Sequence, residues 1–178
     1  MRGRGWAAAI LLTLLETGCG RAITAREARA RLDPARNLDV PPSRSAAAPS
    51  LVELAEQASQ LPAPQRAIVE AALAHTGMPA GALDCSALTC RVFAVTGIAL
   101  PRTTREQLAG GHAVDSDALL PGDLVFFAFR RRPADHVGIF TGQGAFVHVS
   151  SSADCVRLDS FSQAEFARAY VGARRFVR

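Results

Sequence analysis

Leu83-Asp84-Cys85-Ser86-Ala87-Leu88 is the stretch on which the reading of this chain turns, because it sets a cysteine at the first turn of a helix. Leu88, Val92 and Val95 follow at i, i+4 and i+7, the spacing of one buried helical side, and Gly97 supplies a left-handed stop. Asp84 is the residue type that caps such a helix with a side-chain oxygen. A thiol there meets unpaired backbone N–H groups and the positive end of the helix dipole, which together favour thiolate over thiol. A lone cysteine is more often a small core residue than a nucleophile. The weight therefore falls on its partners further along, His136 and His148.

Downstream of this helix, Leu100-Pro101-Arg102-Thr103 reads as extended, as a residue before proline should be. Thr104-Arg105-Glu106-Gln107 fits a capping box that opens a short helix, closed by Gly110-Gly111. The hydrophobic period then changes. After the turn Pro121-Gly122, Leu124 to Phe129 is a continuous apolar run of strand length, and Arg130 to Pro133 is a basic loop, read as solvated. His136–Thr141 and Ala145–Val149 form two strands, Val156–Leu158 a third, Gln163–Ala169 a short helix, and Tyr170–Val177 a last strand. Helices first and an antiparallel sheet after them define an α+β domain. His75 and His112 lie near helix ends and read as surface residues.

Upstream, Arg2 and Arg4 precede the apolar run Trp6 to Leu15, and Gly18-Cys19-Gly20 follows. Residues 1–19 thus read as a secretion or lipoprotein signal, with Cys19 as the lipidated residue, although Glu16 occupies the position where that motif wants Leu. The run falls short of the ~20 residues that span a bilayer. Residues 20–63 read as a flexible tether rich in Ala, Arg, Pro and Ser, with a short helix over Leu51 to Leu61 that Pro62-Ala63-Pro64 interrupts. A helix from Gln65 to His75 opens the compact domain, 64–178. The formal charge of +4 favours polyanionic surroundings. No internal repeat, dinucleotide fingerprint or phosphate loop is present in the sequence.

Four cysteines sharpen the reading. With Cys19 lipidated, Cys85, Cys90 and Cys155 remain in an oxidising compartment, and three thiols cannot all pair. Cys90 stands about 140° round the helix from Cys85. Cys90 and Cys155 read as core residues, with a disulfide between them as the alternative.

Gly142-Gln143-Gly144 reads as a three-residue hairpin loop, which pairs Thr141 with Ala145, Ile139 with Val147 and Gly138 with His148. His136 is two residues from Gly138, so both imidazoles project from one face and can share a hydrogen bond, while Gly138 leaves the space beside them open. That geometry suits attack on an amide. Cys85 is the nucleophile, His136 the base and later the acid, and His148 the group that orients His136; the helix start supplies donors for the oxyanion. A zinc site on the same three residues lacks a fourth ligand and a short-range ligand pair.

Asp84-Cys85-Ser86, Leu100-Pro101-Arg102-Thr103, Pro121-Gly122-Asp123-Leu124-Val125-Phe126-Phe127, His136-Val137-Gly138-Ile139 and Phe146-Val147-His148 resemble, in order and spacing, the motifs of the NlpC-type cell-wall cysteine peptidases. The resemblance covers about 115 residues, from near Gln65 to the end. It implies a papain-like α+β fold with N-terminal helices packed on an antiparallel sheet, a Cys85-His136-His148 catalytic set, substrate contacts at Asp84, Ser86 and Arg102, and no metal or cofactor. It implies hydrolysis of peptidoglycan stem peptides, typically between D-glutamate and the diamino acid, by a monomer in the cell envelope, periplasmic or held on the membrane by a lipid anchor, with no nucleic-acid partner. A wall-binding protein on the same fold and an amidase or acyltransferase using the same thiolate are the alternatives. Two departures stand out. The family's Pro-Tyr-x-Trp-Gly-Gly segment is replaced by Gly77-Met78-Pro79-Ala80-Gly81-Ala82-Leu83, and Ala87 stands where the family has glycine.

Overall fold

The structure is a computed structural model that describes residues 48–81, 83–130 and 133–177. The signal over 1–19, Cys19 and the tether as far as residue 47 lie outside the described residues. Helix α1 (Leu51–Ser59) opens with a capping box between Ser50 and Glu53 and buries Leu54 and Ala58. Helix α2 (Ala63–Ala74) starts two residues before the sequence suggests, because Pro64 sits in its first turn, where a missing N–H costs nothing. Helix α3 (Cys85–Phe93) begins where expected. Asp84 caps it, its carboxylate accepting the Ala87 N–H at 2.7 Å. After Phe93 the backbone tightens to a 3-10 turn, Ala94–Thr96, and ends at Gly97 with φ of 74°. That tightening rotates Val95 into solvent and gives its expected core place to Phe93.

The capping box of helix α4 (Thr104–Ala109) lies one residue earlier than the sequence reading placed it. Thr103 is the cap, accepting the Glu106 N–H at 3.3 Å, while the Glu106 carboxylate accepts the Thr103 N–H at 3.1 Å. The shift leaves Thr104 and Gln107 free for other contacts.

Six antiparallel strands follow: β1 (His112–Val114), β2 (Leu124–Phe127), β3 (His136–Gly142), β4 (Ala145–Ser150), β5 (Cys155–Ser160) and β6 (Tyr170–Arg175). Helix α5 (Ala164–Ala169) joins the last two, and the sheet order is β1-β6-β2-β3-β4-β5. Strand β1 is not legible in the sequence. It carries His112, exposed as expected but on a strand paired with Arg175 rather than at a helix end. His75 is half-buried, its Nδ1–H donating to the Ala71 carbonyl at 2.7 Å.

The two faces of the sheet carry different cores. Helices α2 and α3 lay Ile68, Ala72, Leu88, Val92 and Phe93 against Leu124, Phe126, Val137, Ile139 and Val147. The alternate residues Val125, Phe127, Phe140 and Phe146 join Phe161, Phe166 and Tyr170 in a second, aromatic cluster. The segment before Cys85 docks on the outer side of β5. Gly77 N–H donates to the Val156 carbonyl at 2.8 Å, Val156 N–H to Met78 at 2.9 Å, and Ala80 N–H to Asp154 at 2.9 Å.

Candidate functional site

The hairpin that carries both histidines is built differently from the sequence reading, yet reaches the register it required. Its loop has two residues, Gln143 at φ 51° and Gly144 at φ 74°, a pair of positive φ values characteristic of a type I′ turn. A two-residue loop alone would put the histidines on opposite faces. A bulge between Phe140 and Gly142 supplies the extra residue and restores Ile139 opposite Val147. His136 and His148 therefore do share a face.

Their rings stand nearly perpendicular, at 85°, with His136 Nε2 and His148 Nδ1 2.8 Å apart. Gly138 fits closely beside them, since a Cβ there would lie 3.0 Å from a Phe146 ring carbon and 3.4 Å from His148 Cβ. Phe127 and Phe129 flank His136, and Phe146 and Phe166 flank His148.

Asp159 on β5 extends the pair, and sequence reasoning missed it. Its Oδ2 lies 2.8 Å from His148 Nε2, while Oδ1 accepts from Gln163 Nε2 at 2.9 Å and Arg157 Nη2 at 3.2 Å. Burial works to raise its pKa, but the hydrogen bonds from His148 and Gln163 and the charges of His148 and Arg157 outweigh it, so the carboxyl stays below its ordinary value and ionised. The signal was the β4–β5 pairing, invisible until the hairpin register is known.

An ionised carboxylate only accepts, so the protons of the chain are ordered. Asp159 requires the proton of neutral His148 on Nε2, which makes His148 Nδ1 an acceptor and puts the His136 proton on Nε2. The lone pair on His136 Nδ1 is left over, and that atom has no hydrogen-bond partner among the described residues. Burial, with the repulsion of any charge on His148, lowers the His136 pKa to about 4, so the ring is neutral near pH 7.

Cys85 is the first residue of α3, the helix that packs on β3 and β4. It is half-buried, and its sulfur lies 3.6 Å from Thr104 Oγ1. That is the hydrogen bond the thiol makes, and neither imidazole takes its place. Cys90 and Cys155 are unpaired thiols as well. Cys90 Sγ lies 3.4 Å from the Pro101 carbonyl and accepts from Gln107 Nε2 at 3.5 Å.

Asp84, Ser86 and Arg102 come together, with their hydrogen bonds directed at one another. Arg102 Nη2 meets Asp84 Oδ2 at 2.7 Å, Arg102 Nη1 donates to Ser86 Oγ at 3.0 Å, and the Ser86 hydroxyl donates to Asp84 at 3.0 Å. The guanidinium holds the Asp84 carboxyl below the usual range and offsets its negative charge beside the first turn of α3.

A cysteine at the mouth of a helix, packed against an antiparallel sheet that bears a hydrogen-bonded imidazole pair, defines the papain-like class of α+β fold. Within it, residues 72–175 match the NlpC/P60 family, and the chain belongs to that family. The "Probable endopeptidase NlpC homolog" of Haemophilus influenzae is 38% identical over 96 residues, 53% of this chain and 50% of that protein. The murein DD-endopeptidase MepH of Escherichia coli is 36% identical over 103 residues, 56% of this chain and 38% of that protein. An NLP/P60-family crystal structure from Staphylococcus aureus, described as similar to lipoprotein, superposes with a TM-score of 0.58 at 25% identity, covering 65% of this chain and 42% of its own. The chain spans half or less of the length of these two curated relatives.

Proposed function

We propose that the chain is a peptidoglycan endopeptidase of the cell envelope that cuts stem peptides by thiolate attack, with Cys85 as nucleophile, His136 as base and acid, and His148 and Asp159 as the groups that orient it. The observation that carries this reading is the chain of contacts from Asp159 through His148 to His136, 2.8 Å at each link, from which the proton order and a bare Nδ1 on a neutral His136 follow.

The Cys85 proton passes to His136 Nδ1, and the sulfur forms a bond to the amide carbon while the carbonyl π pair moves to oxygen. Backbone N–H groups at the start of α3 face that developing charge. The tetrahedral centre collapses by breaking the C–N bond, and His136 returns its proton to the leaving amine. Water, deprotonated by the same nitrogen, then adds to the thioester carbon; the C–S bond breaks, the acid is released, and His136 returns its proton to the Cys85 sulfur. The imidazolium formed at each step is stabilised through His148 by the Asp159 carboxylate, which stays ionised.

The bond we assign is the one between D-glutamate and the diamino acid; the name of the E. coli relative points instead to a D,D bond. A leader over residues 1–19, with lipidation at Cys19, is the delivery route read from the sequence. The test is digestion of purified sacculi by the full chain. Mass spectra of the released fragments identify the bond, and Cys85→Ala must abolish release. Turnover retained by that variant overturns the mechanism, and binding without turnover by the wild type makes the protein a wall binder.

A further inference from the structure

We infer that the Thr104 hydroxyl is a working part of this site: it donates its hydrogen bond to the Cys85 sulfur once that sulfur is a thiolate, and holds it at the helix mouth. The inference rests on the reading of Cys85 as the nucleophile. Thr104 Oγ1 lies 3.6 Å from Cys85 Sγ and makes no other side-chain hydrogen bond among the described residues. Its neighbour Thr103 performs the capping that the sequence assigns to Thr104, so the hydroxyl is not committed to the backbone.

The position of that hydroxyl is set by a buried strut. Gln107, fully buried and the fourth of the six residues of α4, donates through Nε2 to the Pro101 carbonyl at 2.8 Å and to the Ser86 carbonyl at 3.3 Å, and accepts the Thr89 hydroxyl at 2.9 Å. These bonds tie the first turn of α4, with Thr104, to the first turn of α3, with Cys85. They are shielded from solvent, so the spacing between two residues nineteen positions apart does not depend on exposed side chains.

The chemistry then has a direction. Between a thiol and a hydroxyl either atom can donate, and little is gained. A thiolate only accepts, so the hydroxyl must donate, and a hydrogen bond to a charged acceptor is the stronger kind. The contact therefore favours the anion over the thiol. Loss of such a bond lowers the thiolate population about tenfold. The greater intrinsic reactivity of the freed thiolate returns about threefold, which leaves roughly threefold in the rate of attack.

The experiment is peptide-resolved alkylation of the full-length chain by iodoacetamide at neutral pH, with Cys155 as the internal reference, on wild type, Thr104→Val and Thr104→Ser. The expected result is a roughly threefold slower Cys85 in the valine variant, an unchanged Cys155, and recovery in the serine variant. Thr104→Ala, which removes the hydroxyl without putting a methyl in its place, must show the same loss. On sacculi kcat falls while KM holds. Valine alkylating at the wild-type rate, or serine as slow as valine, overturns the inference. If the wild type releases no stem peptides but the alkylation pattern holds, the peptidase reading fails and the role of Thr104 stands.

Discussion

Asp159→Asn is the most informative single change, because the network around the carboxylate dictates which way the new amide must turn. Oδ2 receives one donor, His148 Nε2, whereas Oδ1 receives two, Gln163 and the cationic Arg157. If asparagine kept its oxygen toward His148, its NH2 group would confront both of the others. Arg157 is exposed and can swing into solvent, so its conflict costs little, whereas the half-buried Gln163 facing a donor costs about 1 kcal/mol, the low end for an unsatisfied polar group. Turning the oxygen toward Arg157 and Gln163 avoids both conflicts, and His148 can accommodate the NH2 group by moving its own proton to Nδ1. His136 must then accept at Nε2 and carry its proton on Nδ1, the nitrogen that has to be bare for catalysis. Taking about 1 kcal/mol as the lower bound on the preference, the competent tautomer falls at least about fivefold in population, and kcat with it. The same substitution in Ser-His-Asp enzymes costs about 10⁴, through the same inversion. Initial rates of stem-peptide release give kcat and KM, and long-range proton–nitrogen correlation spectra of the imidazoles read the tautomers without reference to activity. An asparagine variant within threefold of wild type, or one whose His148 proton remains on Nε2, would refute the ordering of protons argued above.

Two further outcomes are expected. Burial lowers the His136 pKa from 6.5 to about 4, so between those values the unfolded chain binds a proton that the folded chain does not; stability is full above pH 6.5 and falls on acidification to pH 4, by on the order of 3 kcal/mol. Asp84 and Asp159, both held below 3.8, lose their contributions only at lower pH, so a urea midpoint unchanged between pH 7 and 4.5 contradicts this, and His136→Gln should flatten the slope. Gly138→Ala should cost roughly 1–3 kcal/mol by crowding, since its Cβ would sit 3.0 Å from the Phe146 ring and 3.1 Å from the Val147 carbonyl. Its activity should fall further than its melting temperature explains, because His148 is next in line to move; full activity in a destabilised variant would show that the pair tolerates the shift.

The nucleophile helix was legible because its signals are local: Asp84 caps, Cys85 begins, and Gly97 stops the chain in the left-handed region. The shared face of the histidines was legible for a reason only half right. A three-residue loop puts Ile139 opposite Val147, but the sequence cannot distinguish that loop from a type I′ turn with a compensating bulge, since both have the same residue count. Asp159 was hidden because it reaches His148 across a third strand, and one aspartate in a polar stretch has no periodic signature. The cap of α4 was misplaced by one residue because Thr103 and Thr104 are chemically equal candidates, with Glu106 and Gln107 equal partners three residues on. Only packing separates them, through the preference of the neutral amide of Gln107 for the buried position and of the charged Glu106 for solvent.

The backbone bonds from Gly77, Met78 and Ala80 to β5 bear on how this molecule keeps to itself. They occupy the outward donor and acceptor of Val156 at one flank of the sheet, and the other flank, β1, offers only three residues, two of them exposed. A foreign extended peptide pairing at the Val156 end of β5 would first have to displace this segment, and β1 offers it only a short ladder, so both margins are poor templates for recruiting copies into a growing ribbon. Free of aromatics, the segment that departs most from the family's motif here binds part of a sheet edge that would otherwise be open to pairing.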